Sequence, residues 1–175
     1  TSIKFADFNL RPELVSALER KGFESPMPVQ VRVLEDESLI ETDIIVQART
    51  GSGKTLAFAL PLINAMNTSL REPQIVVLSP TRELAQQTAR EFAWVGAGCG
   101  VRVATLVGGL DMERQIRSLR DGANVVVGTP GRLLDHIRRG TFKGDAIASV
   151  VLDEGDHMLD MGFRDEMEAI LEAVP

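Results

Sequence analysis

The string Gly51-Ser52-Gly53-Lys54-Thr55 follows the apolar run Asp43-Ile44-Ile45-Val46-Gln47 and leads into residues with helical spacing. A strand that turns through glycines into a helix forms a phosphate cradle. The glycines let backbone N–H groups approach the phosphates, the helix start adds a positive dipole, and Lys54 reaches the terminal phosphates. Thr55 would place its hydroxyl on a magnesium ion. Far downstream, Val150-Val151-Leu152 runs into Asp153-Glu154-Gly155-Asp156. A buried strand there would bring Asp153 to the metal side of the same pocket, with Glu154 beside it to orient an attacking water. Each half alone has an ordinary reading, as a glycine-rich turn or as acids capping the next helix. Together, in this order, they point to one nucleoside triphosphatase site.

Such a site needs parallel strands joined by crossover helices, and the remaining pattern supplies them. Short β-branched runs predict strands at Ile44 to Gln47, Gln74 to Ser79, Val101 to Val107, Asn124 to Gly128 and Ser149 to Asp153. Helical spacing predicts helices at Lys54 to Met66, Glu83 to Val95, Met112 to Asp121, Pro130 to Arg139 and Arg164 to Ala173. Pro130 suits a first helical turn, where its missing N–H costs nothing. Upstream, Pro12 to Lys21 and Val29 to Ser38 read as helices separated by a turn that Pro26 and Pro28 hold extended. With no repeat and no long polar linker, residues 1–38 are expected to be integral to the domain formed by 39–175. The fold class is α/β, a mostly parallel sheet flanked by helices.

Composition narrows the function. The 175 residues and 44% hydrophobic content suffice for one core. Cys99 is the only cysteine, so there is no internal disulfide framework, which fits a reducing cytoplasm. No apolar run approaches the roughly 20 residues that span a bilayer, and no membrane partner is expected. A net charge of −6 argues against holding nucleic acid by bulk electrostatics. Any such binding must use a local patch. Arg114, Arg117 and Arg120 recur at helical spacing, and Arg132, Arg138 and Arg139 lie on the next predicted helix, though a solvated helix face is the plainer reading of the first three. His136 and His157 have no further ligands at metal-site spacing and are expected to be surface residues. Trp94 lies on the apolar side of its helix and is expected in the core.

The residues also carry a specific resemblance. Ala48-Arg49-Thr50-Gly51-Ser52-Gly53-Lys54-Thr55 resembles the phosphate loop of the DEAD-box RNA helicases, and Pro80-Thr81-Arg82-Glu83-Leu84-Ala85 resembles their motif Ia. Gly108-Gly109 and Thr129-Pro130-Gly131-Arg132 are similar to two RNA-facing motifs of that family. Asp153-Glu154-Gly155-Asp156 with Met158 to Phe163 is similar to the segment that names it. Residues 22–30 resemble its Q motif. Essentially the whole chain is covered, as an N-terminal RecA-like P-loop domain of such a helicase. The resemblance implies ATP and Mg²⁺ as cofactors, with Thr55 and Asp153 on the metal and Lys54, Asp153 and Glu154 in catalysis. It implies that Gln30 reads the adenine edge, to which an amide offers an acceptor and a donor side by side, and that Phe5 stacks on the base. On the residues alone, Phe5 and Phe8 read as core anchors. The resemblance further implies that Pro80, Thr81, Arg82, Gly108, Gly109, Thr129, Pro130, Gly131 and Arg132 meet the sugar-phosphate backbone of single-stranded or duplex RNA without reading bases. Helix capping is the alternative for Thr81 and Thr129, and Glu83 could complete a cap or pair with Arg82. The activity implied is ATP-dependent unwinding of RNA, with a nucleotide-dependent clamp and a DNA translocase as the alternatives.

Three departures accompany the resemblance. Gly155 stands where alanine is usual, and Met27 where threonine or serine is common. The third concerns extent: the sequence ends before the family's Ser-Ala-Thr motif and before a second RecA-like domain, which in the family supplies arginines to the transition state. Such arginines contribute about 10³ to 10⁵ in rate in related systems, so this fragment is expected to bind nucleotide and hydrolyse it weakly. The family places the Ser-Ala-Thr strand between the phosphate-loop strand and the acidic strand. The sheet is therefore expected to be gapped there, or filled by a neighbour or by a longer parent chain.

Overall fold

The computed structural model describes residues 4–23, 25, 26, 30, 44–47 and 54–175. Five strands form one sheet among them: β1 (Ile44–Gln47), β2 (Ile75–Leu78), β3 (Val103–Leu106), β4 (Val125–Gly128) and β5 (Ser149–Asp153), in the order β1-β5-β2-β4-β3. Every pairing is parallel. The helices are α1 (Pro12–Arg20), α2 (Lys54–Ala65), α3 (Arg82–Gly96), α4 (Met112–Arg120), α5 (Pro130–Arg139), α6 (Gly155–Asp160) and α7 (Arg164–Glu172). The helix expected over 29–38 lies outside the described residues except for Gln30, which is helical.

Side chains alternate across a strand, and here the alternation sorts them into two cores. Ile75, Val77, Val125, Val127 and Val151 join α1, α2 and α3 on one face. Val76, Leu78, Val126, Val150 and Leu152 join α5, α6 and α7 on the other, with Leu119 of α4. Because both of their faces are covered, the inner strands β2 and β4 are continuous buried apolar runs, as expected for parallel sheets, while edge strand β3 alternates between buried and half-buried.

The sheet corrects one expectation. β1 pairs directly with β5, from Ile44↔Val150 to Gln47↔Asp153. No gap separates the phosphate-loop strand from the acidic strand. An unpaired interior strand edge would leave buried N–H and C=O groups without partners, and direct pairing satisfies them. A second difference is α6, which the sequence did not signal. A third is His136, expected at the surface but fully buried. It occupies the inward side of α5 with Leu133 and Pro130, and both ring nitrogens find partners there, which is what makes burial of an imidazole tolerable. Trp94 is half-buried against the first core and stacks on exposed Phe23 at 6.0 Å between ring centroids.

Candidate functional site

In a parallel sheet all strands end at one edge, and ligands gather there. Each candidate residue that the structure describes from β1 onward lies at or just beyond the carboxyl end of a strand: Thr55 after β1, Pro80 to Arg82 after β2, Gly108 and Gly109 after β3, Thr129 to Arg132 after β4, and Asp153 and Glu154 at β5. The strand order divides them into an acidic half at β1 and β5 and a cationic half at β2, β4 and β3.

In the acidic half, Asp153 is 1% exposed and aligned in register with Gln47 at the end of β1. The Ser79 hydroxyl, also buried, lies 3.5 Å from Asp153 Oδ2. Thr55, the second residue of α2, is buried as well. A carboxylate and a hydroxyl at one strand edge are hard oxygen donors, which fits magnesium completed by phosphate and water oxygens. Among the described residues no group of three or more His, Cys, Asp or Glu forms a metal cluster. Ala48, Arg49, Thr50, Gly51, Ser52 and Gly53 lie outside the described residues, as does Met27; Lys54 is described as the first residue of α2.

Glu154 has φ 53° and ψ 49°, the one non-glycine residue with positive φ among those described. That left-handed conformation costs an L-residue about 1–2 kcal/mol. It turns the chain sharply from β5 into α6, and it leaves the Glu154 carboxylate mostly covered, 3.4 Å from His157 Nδ1. Gly155 opens α6 without positive φ, so its backbone conformation does not itself demand glycine.

In the cationic half, Thr81 caps α3, its Oγ1 accepting from Leu84 N–H at 3.2 Å. Arg82 is half-exposed with a loose 3.8 Å pair to Glu83. Gly109 has φ +81°, and a Cβ there would lie 2.6 Å from Arg82 Nη1. The positive φ is what calls for glycine there, and the Arg82 guanidinium is seated against it. Gly128, the last residue of β4, comes equally close to β3: a Cβ would lie 2.5 Å from the Leu106 carbonyl oxygen. Thr129 precedes α5 without a side-chain cap hydrogen bond, leaving capping the weaker reading of its hydroxyl, and Pro130 holds the first helical position. Arg132 Nη1 donates to the Leu110 carbonyl at 3.2 Å and to Gln115 Oε1 at 3.3 Å. Arg82 and Arg132 therefore flank one exposed glycine turn at 108–110.

Two other expectations meet a different setting. Phe5 is 2% exposed and belongs to the first core, as in the core-anchor reading; stacking on a base would require its 3₁₀ turn, Phe5–Asp7, to move. Gln30 is buried and engaged by neighbouring groups. The exposed arginines of α4 form the solvated face: the helix runs from the glycine turn back toward the amino edge, carrying Arg120 away from the site. A cavity of about 430 Å³ lies at that amino edge, lined by Arg71, Pro73, Leu119, Arg120, Thr141 and Lys143 among others, remote from these residues. Sequence reading missed Ser79 and Gln115. Gln115 stands four residues before buried Leu119, and that inward spacing was the available signal.

Comparison with known proteins identifies the family. The DEAD/DEAH box helicase family matches residues 27–175. The DEAD-box ATP-dependent RNA helicase CshA of Geobacillus kaustophilus is 47% identical over 171 residues, covering 98% of this chain and 36% of that protein. The ATP-dependent RNA helicase DeaD of Escherichia coli is 45% identical over 172 residues, covering 98% of this chain and 27% of that protein. The chain thus spans about a third of the length of the curated relatives it matches. Among solved structures, a DEAD box protein from the hyperthermophile Methanococcus jannaschii superposes with a TM-score of 0.88 at 41% identity, over 99% of this chain and 47% of that one. Yeast Dbp5 bound to RNA and ADP BeF3 gives a TM-score of 0.84 at 32% identity, over 99% and 44%. With the family match running over most of its length, the chain belongs to the DEAD/DEAH box helicases.

Proposed function

We propose that this domain binds ATP with magnesium at the β1–β5 end of its carboxyl edge and the backbone of RNA at the β2–β4–β3 end, within a protein that couples ATP hydrolysis to local RNA unwinding. The observation that carries the reading is the gathering of both residue sets along one edge in two chemically opposite halves. The homologues' names, and the RNA and ADP BeF3 held by Dbp5, support the same assignment.

In this reading the loop 48–55 holds the phosphates, with Lys54 reaching the terminal ones, and Gln30 discriminates adenine. Magnesium, when bound, would supply positive charge against that developing on the phosphates. Asp153, desolvated and beside the Ser79 hydroxyl, holds that ion with Thr55. Glu154 aligns the attacking water from a carboxylate fixed by a strained turn. In the cationic half the hydroxyls of Thr81 and Thr129, the guanidiniums of Arg82 and Arg132, and the backbone of Gly108, Gly109, Pro130 and Gly131 meet phosphate oxygens. None of these groups reads base edges, so binding is sequence-tolerant. Phe5 joins the adenine site only if its turn opens. A second RecA-like domain completes the catalytic centre, and this domain alone hydrolyses ATP weakly. The Cys99 thiol is pushed up chiefly by burial and further by Glu13, against Arg11, which disfavours its reactive thiolate form.

Phosphate release by the full protein with RNA, with DNA and with neither tests this. Stimulation by RNA and loss of turnover in Lys54→Ala and Glu154→Gln are expected. Equal stimulation by DNA favours a translocase, and RNA retention without phosphate release favours a clamp.

A further inference from the structure

Gln115 belongs to neither motif set, yet it touches both RNA-facing turns. Its side chain is buried, and both the nitrogen and the oxygen of its amide have partners. Nε2 donates to the Val107 carbonyl at 2.8 Å, at the entrance to the 108–110 turn. Oε1 accepts from Arg132 Nη1 at 3.3 Å and lies 2.9 Å from His136 Nε2. Only one orientation of the amide serves these three partners. Flipping it would set its NH₂ against the Arg132 donor and its oxygen against the Val107 carbonyl. With Oε1 facing it, His136 Nε2 carries a proton, and His136 Nδ1 lies 2.8 Å from the Thr141 hydroxyl. That fixes the ring, and the ring in turn fixes the amide.

We infer that Gln115 is a positioning residue for RNA: its amide ties the Val107–Leu110 turn to the start of α5, holding the Arg132 guanidinium toward the RNA backbone before RNA arrives. The inference rests on the proposed phosphate role of Arg132. Held through Nη1 by Gln115 and by the Leu110 carbonyl, the guanidinium has a set plane, which leaves Nη2 and Nε for a phosphate oxygen. Without the amide, Arg132 keeps only its bond to the Leu110 carbonyl, so its guanidinium plane must be set on binding, and the turn carrying Gly108 and Gly109 loses one of its ties to α5.

The test exploits the fact that Gln115 is uncharged. In single strands each neutralised phosphate contributes about 0.7 to the slope of log affinity against log salt. Binding of a short oligouridine to the full protein is measured across salt concentrations for the native protein, Arg132→Ala, Gln115→Met and the double variant. Methionine preserves length and apolar packing, and Gln115→Asn, an amide too short to reach both turns, serves if Gln115→Met does not fold. The expected result is that Gln115→Met lowers the slope by the same ~0.7 as Arg132→Ala, that the double variant falls no further, and that magnesium-ADP affinity is unchanged. A native slope in the Gln115 variants with a reduced slope in Arg132→Ala would overturn the positioning role alone. An unchanged slope in Arg132→Ala would remove the phosphate role of Arg132, and the inference with it.

Discussion

The two halves of the carboxyl edge solve opposite solvation problems with the same strand ends. At β1 and β5 the chemistry-bearing groups are buried: Asp153, Ser79 and Thr55 are almost closed to solvent. At β2, β4 and β3 they are open: Gly108, Gly109 and Gly131 are exposed and Arg82 is half-exposed. A carboxylate that holds a metal gains from a water-poor setting, where its attraction to the ion is less screened. A surface that receives a long polyanion must remain accessible along its length, and it gains from glycines that let a phosphate approach the backbone. Where the first half carries strain, in the left-handed Glu154, the second carries close approaches, at Gly109 and Gly128. The two halves meet at β2, whose end supplies both Ser79 and the Thr81 cap.

The largest effect that separates the halves is expected at Glu154. Glu154→Gln should lower RNA-stimulated ATP turnover of the full protein by about 10²–10⁴-fold, with RNA affinity unchanged. Loss of RNA affinity in parallel would mean that the halves are not separable. Its companion, Glu154→Gly, should abolish turnover yet leave the fold as stable or up to about 1 kcal/mol more stable, since glycine relieves the left-handed strain; thermal denaturation checks it. On the other side, Gly128→Ala drives a methyl into the Leu106 carbonyl of the neighbouring strand. It should destabilise the domain by about 1–3 kcal/mol, and RNA binding should weaken before nucleotide binding as β3 and β4 separate.

Thr81→Ala removes the cap of α3 and should cost about 1 kcal/mol. Because the same hydroxyl is proposed to meet RNA, its effect on RNA affinity should exceed that of a distant change of equal stability cost. The smallest effect concerns pH. Burial holds the His136 imidazole below its ordinary value of 6.5, Arg132 and Arg139 add to this, and Asp135 opposes it. Below 6.5 the unfolded chain takes up a proton that the folded domain resists, so stability is full above that pH and declines as pH falls through it. Melting temperatures followed across that range should fall for the native domain and fall less for His136→Gln. An identical pH response in both would remove His136 as the source.

Much of this was legible because phosphate chemistry uses local strings. The Thr129-Pro130 helix start and the Asp153-Glu154 strand end each declare themselves within a few residues, and the parallel sheet follows from β-branched runs spaced by helices; the glycine string at 51–53 lies outside the described residues. What the sequence concealed depends on residues far apart in the chain. The Gln115 amide gains its meaning only when α4 and α5 pack side by side and bring His136 and Arg132 to it. The burial of His136 was hidden for the same reason, since its partners Gln115 and Thr141 lie on different segments. α6 was hidden by Gly155, which reads as a helix breaker until the left-handed turn at Glu154 sets its start. The β1–β5 pairing reversed an expectation drawn from resemblance rather than from the residues themselves.

The central claim is that one edge carries two separable sites, and two variants against two ligands test it most directly. Magnesium-ADP and a short oligouridine are titrated calorimetrically into the full protein, into Lys54→Ala and into Arg132→Ala, with magnesium-GDP as the control for adenine selection. The account expects Lys54→Ala to lose ADP and keep RNA, Arg132→Ala to weaken RNA and keep ADP, and GDP to bind little to any of the three. Loss of both ligands in either variant, or of neither in both, would contradict it.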